Sequence, residues 1–176
     1  MTGRRRGEIV DDIAGLRRIL AQHRTLAVVG LSQHWYRPSY FAAKYMLDHG
    51  YTVIPVNPGY AEALGQKAYP SLDAIPGPVD IVDVFRKPGE MPAIASEAVA
   101  KGAKVLWMQL GLRNDDAARV ATDAGLDVVM DRCVKIEHAR ILGGLNWAGV
   151  NTGVISSRRP EPVASRSARD TTSSDG

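Results

Sequence analysis

The chain has 176 residues, of which 45% are hydrophobic and 23% charged, and a formal net charge of +3 at pH 7. That length suits a single domain with a sizeable core, and the balance is that of a globular protein. No apolar run approaches the roughly 20 residues that span a bilayer. No apolar core follows Arg4-Arg5-Arg6, and the one cysteine cannot close an intrachain disulfide, so a cytoplasmic, reducing location without a membrane partner is expected.

Much of the basic excess sits at the two ends, in Arg4 to Arg6 and in Arg158, Arg159, Arg166 and Arg169. Basic ends are commonly solvated tails, so nucleic acid is not an expected partner. Residues 1–7 are expected to be flexible and residues 8–150 to form the domain. The tail, 151–176, is rich in Ser, Arg, Thr, Pro and Asp and is expected to be disordered, most clearly from Ser156 to Gly176.

Along the chain, Glu8 to Gln22 carries Ile9, Val10, Ile13, Leu16, Ile19 and Leu20 at helical spacing, which predicts a helix packed across a sheet. Leu26 to Val29 is continuously apolar, as in a strand buried on both faces, and it ends in Gly30. After the polar loop Gln33 to Pro38, Ser39 is the expected cap of a helix over Tyr40 to His49, which Gly50 stops. Tyr51 to Val56 reads as the second strand, and Asn57-Pro58-Gly59 breaks it. A polar connection through Leu64-Gly65 then leads to a short turn or helix over Tyr69 to Asp73.

Val79 to Phe85 reads as the next strand, followed by a helix from Met91 to Lys101 that Gly102 closes. Lys104 to Met108 is another strand. Asn114 caps a helix over Asp115 to Ala124, Leu126 to Met130 is the last strand, and a final helix covers Val134 to Leu142. Strands and helices alternate with room for crossovers, so the fold class is α/β: a single domain with an open, doubly wound parallel sheet of about five strands, Rossmann-like.

In such sheets ligands bind beyond the carboxyl ends of the strands, where the strand order reverses. That rule selects Gly30 to Ser39, Val56 to Pro58, Phe85 to Pro88, Gln109 to Gly111 and Asp131 to Cys133. The first of these segments suits phosphate, since a helix start presents unpaired amides and Arg37 adds a charge; it also reads as an ordinary strand-to-helix turn with a surface arginine. A dinucleotide oxidoreductase would carry further loop glycines after Gly30 and an acid at the end of the second strand, where Asn57-Pro58 stands. No Walker loop follows Gly30 either.

The segments Val28-Val29-Gly30-x-Ser32, Arg37-Pro38-Ser39, Gly50-Tyr51-x-Val53-Ile54-Pro55-Val56-Asn57-Pro58, Val82-Asp83-Val84-Phe85-Arg86, Trp107-x-Gln109-x-Gly111 and Val129-Met130-Asp131-Arg132-Cys133 come in that order. As a set they resemble the small stand-alone CoA-binding proteins, single Rossmann-like domains similar to the CoA-binding part of the succinyl-CoA synthetase α subunit. The match covers about Asp11 to Leu142. The resemblance implies coenzyme A or an acyl-CoA as ligand, with Gly30, Ser32, Arg37 and Ser39 holding the pyrophosphate. It further implies that Val56, Asn57 and Pro58 border the adenosine, that Phe85 and Arg86 line the path of the adenine or pantetheine, and that Gln109 and Gly111 lie near the thiol end. Many relatives carry Lys or Arg where this chain has Gly59, which leaves Lys67, Arg86 and Lys87 as candidate cations for the ribose 3′-phosphate.

Cys133 is the candidate reactive group. It stands beside Arg132 at a helix start, settings that favour a thiolate, but the reading preferred over that one is a half-buried cysteine serving as a small apolar cap. Asp131 is read as the cap of the last helix, and Trp107 as core. Asp80 and Asp83, three apart in a strand, fall on opposite faces and form no carboxylate pair. His23, His34, His49 and His138 have no metal spacing. With no nucleophile and orienting base in view, the expected function is CoA or acyl-CoA binding without catalysis. The alternatives are an NAD(P)-binding redox or sensor domain, or a CoA-linked thiol redox protein using Cys133. Oligomeric state and protein partners are left open.

Overall fold

The computed structural model describes residues 3 and 5–143. Residues 144–176, which include the expected tail and the end of the expected domain, lie outside the described residues. The order of elements is α1 (Ile13–Gln22), β1 (Thr25–Val29), α2 (Pro38–Asp48), β2 (Thr52–Val56), β3 (Glu62–Ala63), β4 (Gln66–Lys67), β5 (Ile81–Val84), a 3₁₀ turn (Pro88–Glu90), α3 (Met91–Lys101), β6 (Val105–Met108), α4 (Asp115–Asp123), β7 (Asp127–Val129) and α5 (Val134–Ile141).

Five strands form one parallel sheet in the order β2-β1-β5-β6-β7. The chain leaves β1 toward one edge and returns to its other side at β5, so the order reverses between these two neighbours. Their tips form the crevice in which such sheets bind ligands. The strands are short and apolar because both faces are covered. Leu26, Val28, Ile81, Val105, Trp107 and Val129 pack under Leu16 and Ile19 of α1, Ala42 and Met46 of α2, and Val134 and Ile141 of α5. Ala27, Val82, Val84, Leu106, Met108 and Val128 face Met91, Ile94 and Ala98 of α3 and Ala117 and Ala121 of α4. Each fully buried Leu, Ile or Met contributes roughly 1.5–3 kcal/mol.

Several boundaries differ from the sequence reading. The first helix begins at Ile13 rather than Glu8, because the Asp12 side chain accepts from the Gly15 amide at 3.2 Å and caps it there. Residues 8–10 instead run along the open edge of β7, with Val10 N–H donating to the Val128 carbonyl at 2.8 Å and Val128 N–H to that of Glu8 at 2.9 Å. An exposed edge row of backbone groups is thereby paired. Within the expected flexible segment 1–7, the Gly7 amide donates to the Thr122 carbonyl at 2.9 Å, and Arg5 pairs with Asp127 at 3.4 Å.

The polar connection after β2 contains the antiparallel hairpin β3–β4, with two residues in each strand, too short to show a hydrophobic period. Tyr69 is neither turn nor helix but pairs in parallel with Val56, at the place of a further strand beside β2. Pro55 is tolerated in β2 because β2 is an outer strand that, among the described residues, has this isolated partner alone beyond it. Among the described residues, no helix is long and apolar enough to cross a membrane.

Candidate functional site

A cleft of about 730 Å³ opens over the carboxyl ends of the strands. The tip of β1 and the start of α2 supply Gly30, Ser32, His34, Arg37, Pro38 and Ser39. The tip of β5 supplies Val84, Phe85 and Arg86, and the tip of β6 supplies Gln109, Leu110 and Gly111. Cys133 and Ile136, at the start of α5, close the far end. Two arginines and no carboxylate stand among the lining residues, an arrangement that attracts anions.

The β1 tip needs its glycine. Gly30 has φ +85°, and a Cβ there would lie 2.4 Å from the Phe85 carbonyl oxygen. Side-chain bonds shape the loop that follows. The Asn57 amide group donates to the Leu31 carbonyl at 3.1 Å and its oxygen accepts from Gly59 N–H at 2.9 Å, tying the tips of β1 and β2 together. The Ser39 hydroxyl accepts from Ser32 N–H at 3.1 Å, and the Ser32 hydroxyl accepts from His34 N–H at 3.1 Å. At the other end, the Asp131 carboxylate accepts from Gly111 N–H at 2.7 Å, and Trp107 Nε1 donates to the Arg132 carbonyl at 2.8 Å. These bonds fix the β6 and β7 loops to each other.

A family described as the CoA binding domain matches residues 24–139. The chain belongs to that family. It is 45% identical over 126 residues to the uncharacterized protein YneT of Bacillus subtilis (strain 168), an alignment covering 72% of this chain and 93% of YneT. It also resembles a hypothetical protein from Pyrococcus horikoshii OT3, at 42% identity and a TM-score of 0.74, over 76% of this chain and 94% of that one. A protein from Thermus thermophilus shares 36% identity with a TM-score of 0.72, over 75% of this chain and all of that one, 100%. The neighbours agree with the Rossmann-like architecture of CoA-binding domains.

Within that family frame, the cleft gathers Gly30, Ser32, Arg37, Ser39, Phe85, Arg86, Gln109, Gly111 and Cys133, all singled out from the sequence. Val56, Asn57 and Pro58 are not among its lining residues: Val56 is buried, Asn57 braces the loop, and Pro58 is exposed beside it. Of the three candidate cations only Arg86 reaches the cleft. Lys67 lies over the Tyr69 ring, 5.2 Å from its centroid, and Lys87 stands at the start of the 3₁₀ turn. Tyr60, Leu112 and Ile136 also line the cleft and lie outside the segments selected from the sequence. Ile136 had a signal, since it falls one helical turn after Cys133.

Three expectations need correction. Ser39 is not the cap of α2: the helix starts at Pro38, whose missing N–H is harmless there, and the cap position is Arg37. Ser39 is buried and holds the loop. Asp131 does not cap α5: it has φ +56°, its carboxylate serves Gly111, and Cys133 occupies the cap position without a side-chain bond. Nor is the Cys133 thiol acidified. Burial pushes its pKa up, against a smaller lowering by the Ile136 and Lys135 amides. Arg132 adds no free charge, because it pairs with buried Glu137 at 3.3 Å and donates to the Asp11 carbonyl at 2.8 Å.

Beneath the cleft lies a group to which the sequence assigned no role. Asp83, 1% exposed in the central strand β5, stands in register between Val28 and Trp107. Gln109 Nε2 donates to one of its oxygens, and the other has no hydrogen-bond partner among the described residues. Burial pushes its pKa up to about 7, the Gln109 bond opposing part of that rise. Asp83 therefore holds the amide of Gln109 from below, and near neutral pH it is divided between its protonated and ionised forms. Asp80 lies at the opposite end of the sheet, where its carboxylate accepts from the Arg24 amide at 3.1 Å. Trp107 is core, fully buried. Among the described residues, no group of three His, Cys, Asp or Glu could hold a metal ion.

Proposed function

We propose that this protein binds coenzyme A or an acyl-CoA in the cleft at the sheet's carboxyl edge, as a binding module without turnover of its own. The observation that carries this reading is the cleft lining, with Arg37 and Arg86 at the switch point and no carboxylate among its residues. CoA bears its charge on phosphates, including one on the ribose, and a ribose-binding acid would repel that phosphate. The position after β2 where a dinucleotide enzyme keeps such an acid is Asn57, and its amide is committed to the Leu31 carbonyl.

In this reading the pyrophosphate sits at the start of α2 beside Arg37, where the helix dipole adds to the charge. The adenosine lies toward Tyr60 and Arg86. The pantetheine runs past Phe85 and Gln109 to end near Gly111 and Cys133. The test is isothermal titration with CoA, dephospho-CoA, NAD, NADP and ATP. CoA is expected to bind most tightly, and loss of the ribose phosphate to weaken binding. Arg37→Ala is expected to weaken CoA roughly tenfold, the lower end for a charge-assisted phosphate contact, because this side chain is exposed. Tighter binding of NAD or NADP than of CoA would refute the proposal.

A further inference from the structure

A second cleft, of about 320 Å³, adjoins the first at the β7 end of the sheet edge. The two share Leu110, Cys133 and Ile136, so they are neighbouring compartments along one line of strand tips. The first compartment has its charge at the β1 and β5 tips, in Arg37 and Arg86, and the second lies past the β6 tip. Apolar side chains meet there without burying one another: Ile9 is 54% exposed, Leu110 50% and Ile136 42%. Ile9 is held in place by the parallel pairing of residues 8–10 with β7, which makes the far wall a built feature of the fold. Exposed apolar side chains converging on a concavity mark a place for an apolar ligand group.

We propose that this second cleft receives the acyl group of a CoA thioester, a short uncharged aliphatic chain of about four to six carbons. The inference rests on the CoA reading above and names which form of CoA the protein prefers. A pantetheine entering from Arg37 and ending near Cys133 points its sulfur at the shared wall, and an acyl group on that sulfur continues into the second cleft. The volume bounds the length. At the ~30 Å³ that liquid water allots to one molecule, such a cleft holds at most on the order of ten heavy atoms, which leaves room for a hexanoyl group and not for a long fatty chain.

The charges in the walls set the polarity. Three carboxylates, Asp11, Asp131 and Glu137, stand against two guanidiniums, Arg113 and Arg132. Most are already engaged: Asp131 with the Gly111 amide, and Glu137 with Arg132 and Arg140. Without a surplus of positive charge, the cleft does not suit an acyl group that ends in a carboxylate.

The experiment is calorimetric titration of the full chain with CoA, acetyl-CoA, butyryl-CoA, hexanoyl-CoA and a thioester of hexanoyl length ending in a carboxylate. Full burial of a methylene is worth about fourfold in affinity, so with the extra methylenes of hexanoyl only about half buried, hexanoyl-CoA is expected to bind at least about tenfold tighter than acetyl-CoA. Ile9→Asp is expected to bring that ratio to within about twofold. Its measure is a ratio within one protein, which a general loss of folded fraction does not move. Equal affinities across the series for wild type, or tightest binding by the carboxylate-ended thioester, would overturn this inference while leaving the CoA reading intact. Binding by none of the five would remove both.

Discussion

Asp83→Asn tests the electrostatics beneath the cleft. With its pKa pushed from the ordinary 3.8 up to about 7, Asp83 is protonated in the folded protein where it is ionised in the unfolded chain. Between those two pH values the folded state binds the extra proton, so stability falls as pH rises through the window and levels off above about 7. At about 1.36 kcal/mol per pH unit, the loss attributable to this group is about 4 kcal/mol. Asn keeps an oxygen for Gln109 and cannot ionise, but it places an amide N–H where the unpartnered oxygen was, at a cost of about 1–3 kcal/mol. The variant is therefore expected to be more stable than wild type by about 1–3 kcal/mol at pH 9, and equal or less stable at pH 4.5. Urea unfolding of both proteins at intervals between those pH values measures the difference, in which the other titrating groups cancel. A difference that stays constant with pH would refute the reasoning.

Gly30→Ala should be destabilising and should weaken CoA binding, because the added carbon would sit 2.4 Å from the Phe85 carbonyl in a backbone with φ +85°; thermal unfolding and titration both read this, and a variant as stable as wild type would contradict the strand-tip geometry. Cys133 should alkylate more slowly with iodoacetamide at pH 7.5 than a free thiol, since burial raises its pKa. Reaction faster than glutathione, followed by intact mass, would show that the thiol is activated after all.

Alternation of apolar strands with amphipathic helices is a local property, so the parallel α/β architecture was legible from residues such as Leu26 to Val29 and Met91 to Lys101 alone. The strand tips followed, and with them Gly30, Arg37, Phe85, Arg86, Gln109 and Gly111 as cleft residues. Asn114 was legible as a cap because its side chain serves an amide three residues on. Partners distant in sequence were not legible. Ser39 reads as a helix cap until the loop folds back to give it the Ser32 amide, and Asp131 likewise until the β6 loop brings Gly111 to it. Ile9 and Val10 continue a helical spacing, but their backbone pairs with β7, more than a hundred residues away. The acidity of Cys133 and Asp83 depends on burial, and burial is a property of the assembled sheet and its two helix layers. Local pattern thus determined the elements and which strand tips border the cleft, while tertiary packing alone decided which polar groups are already engaged there, because a hydrogen bond or a desolvation is fixed only when remote segments arrive.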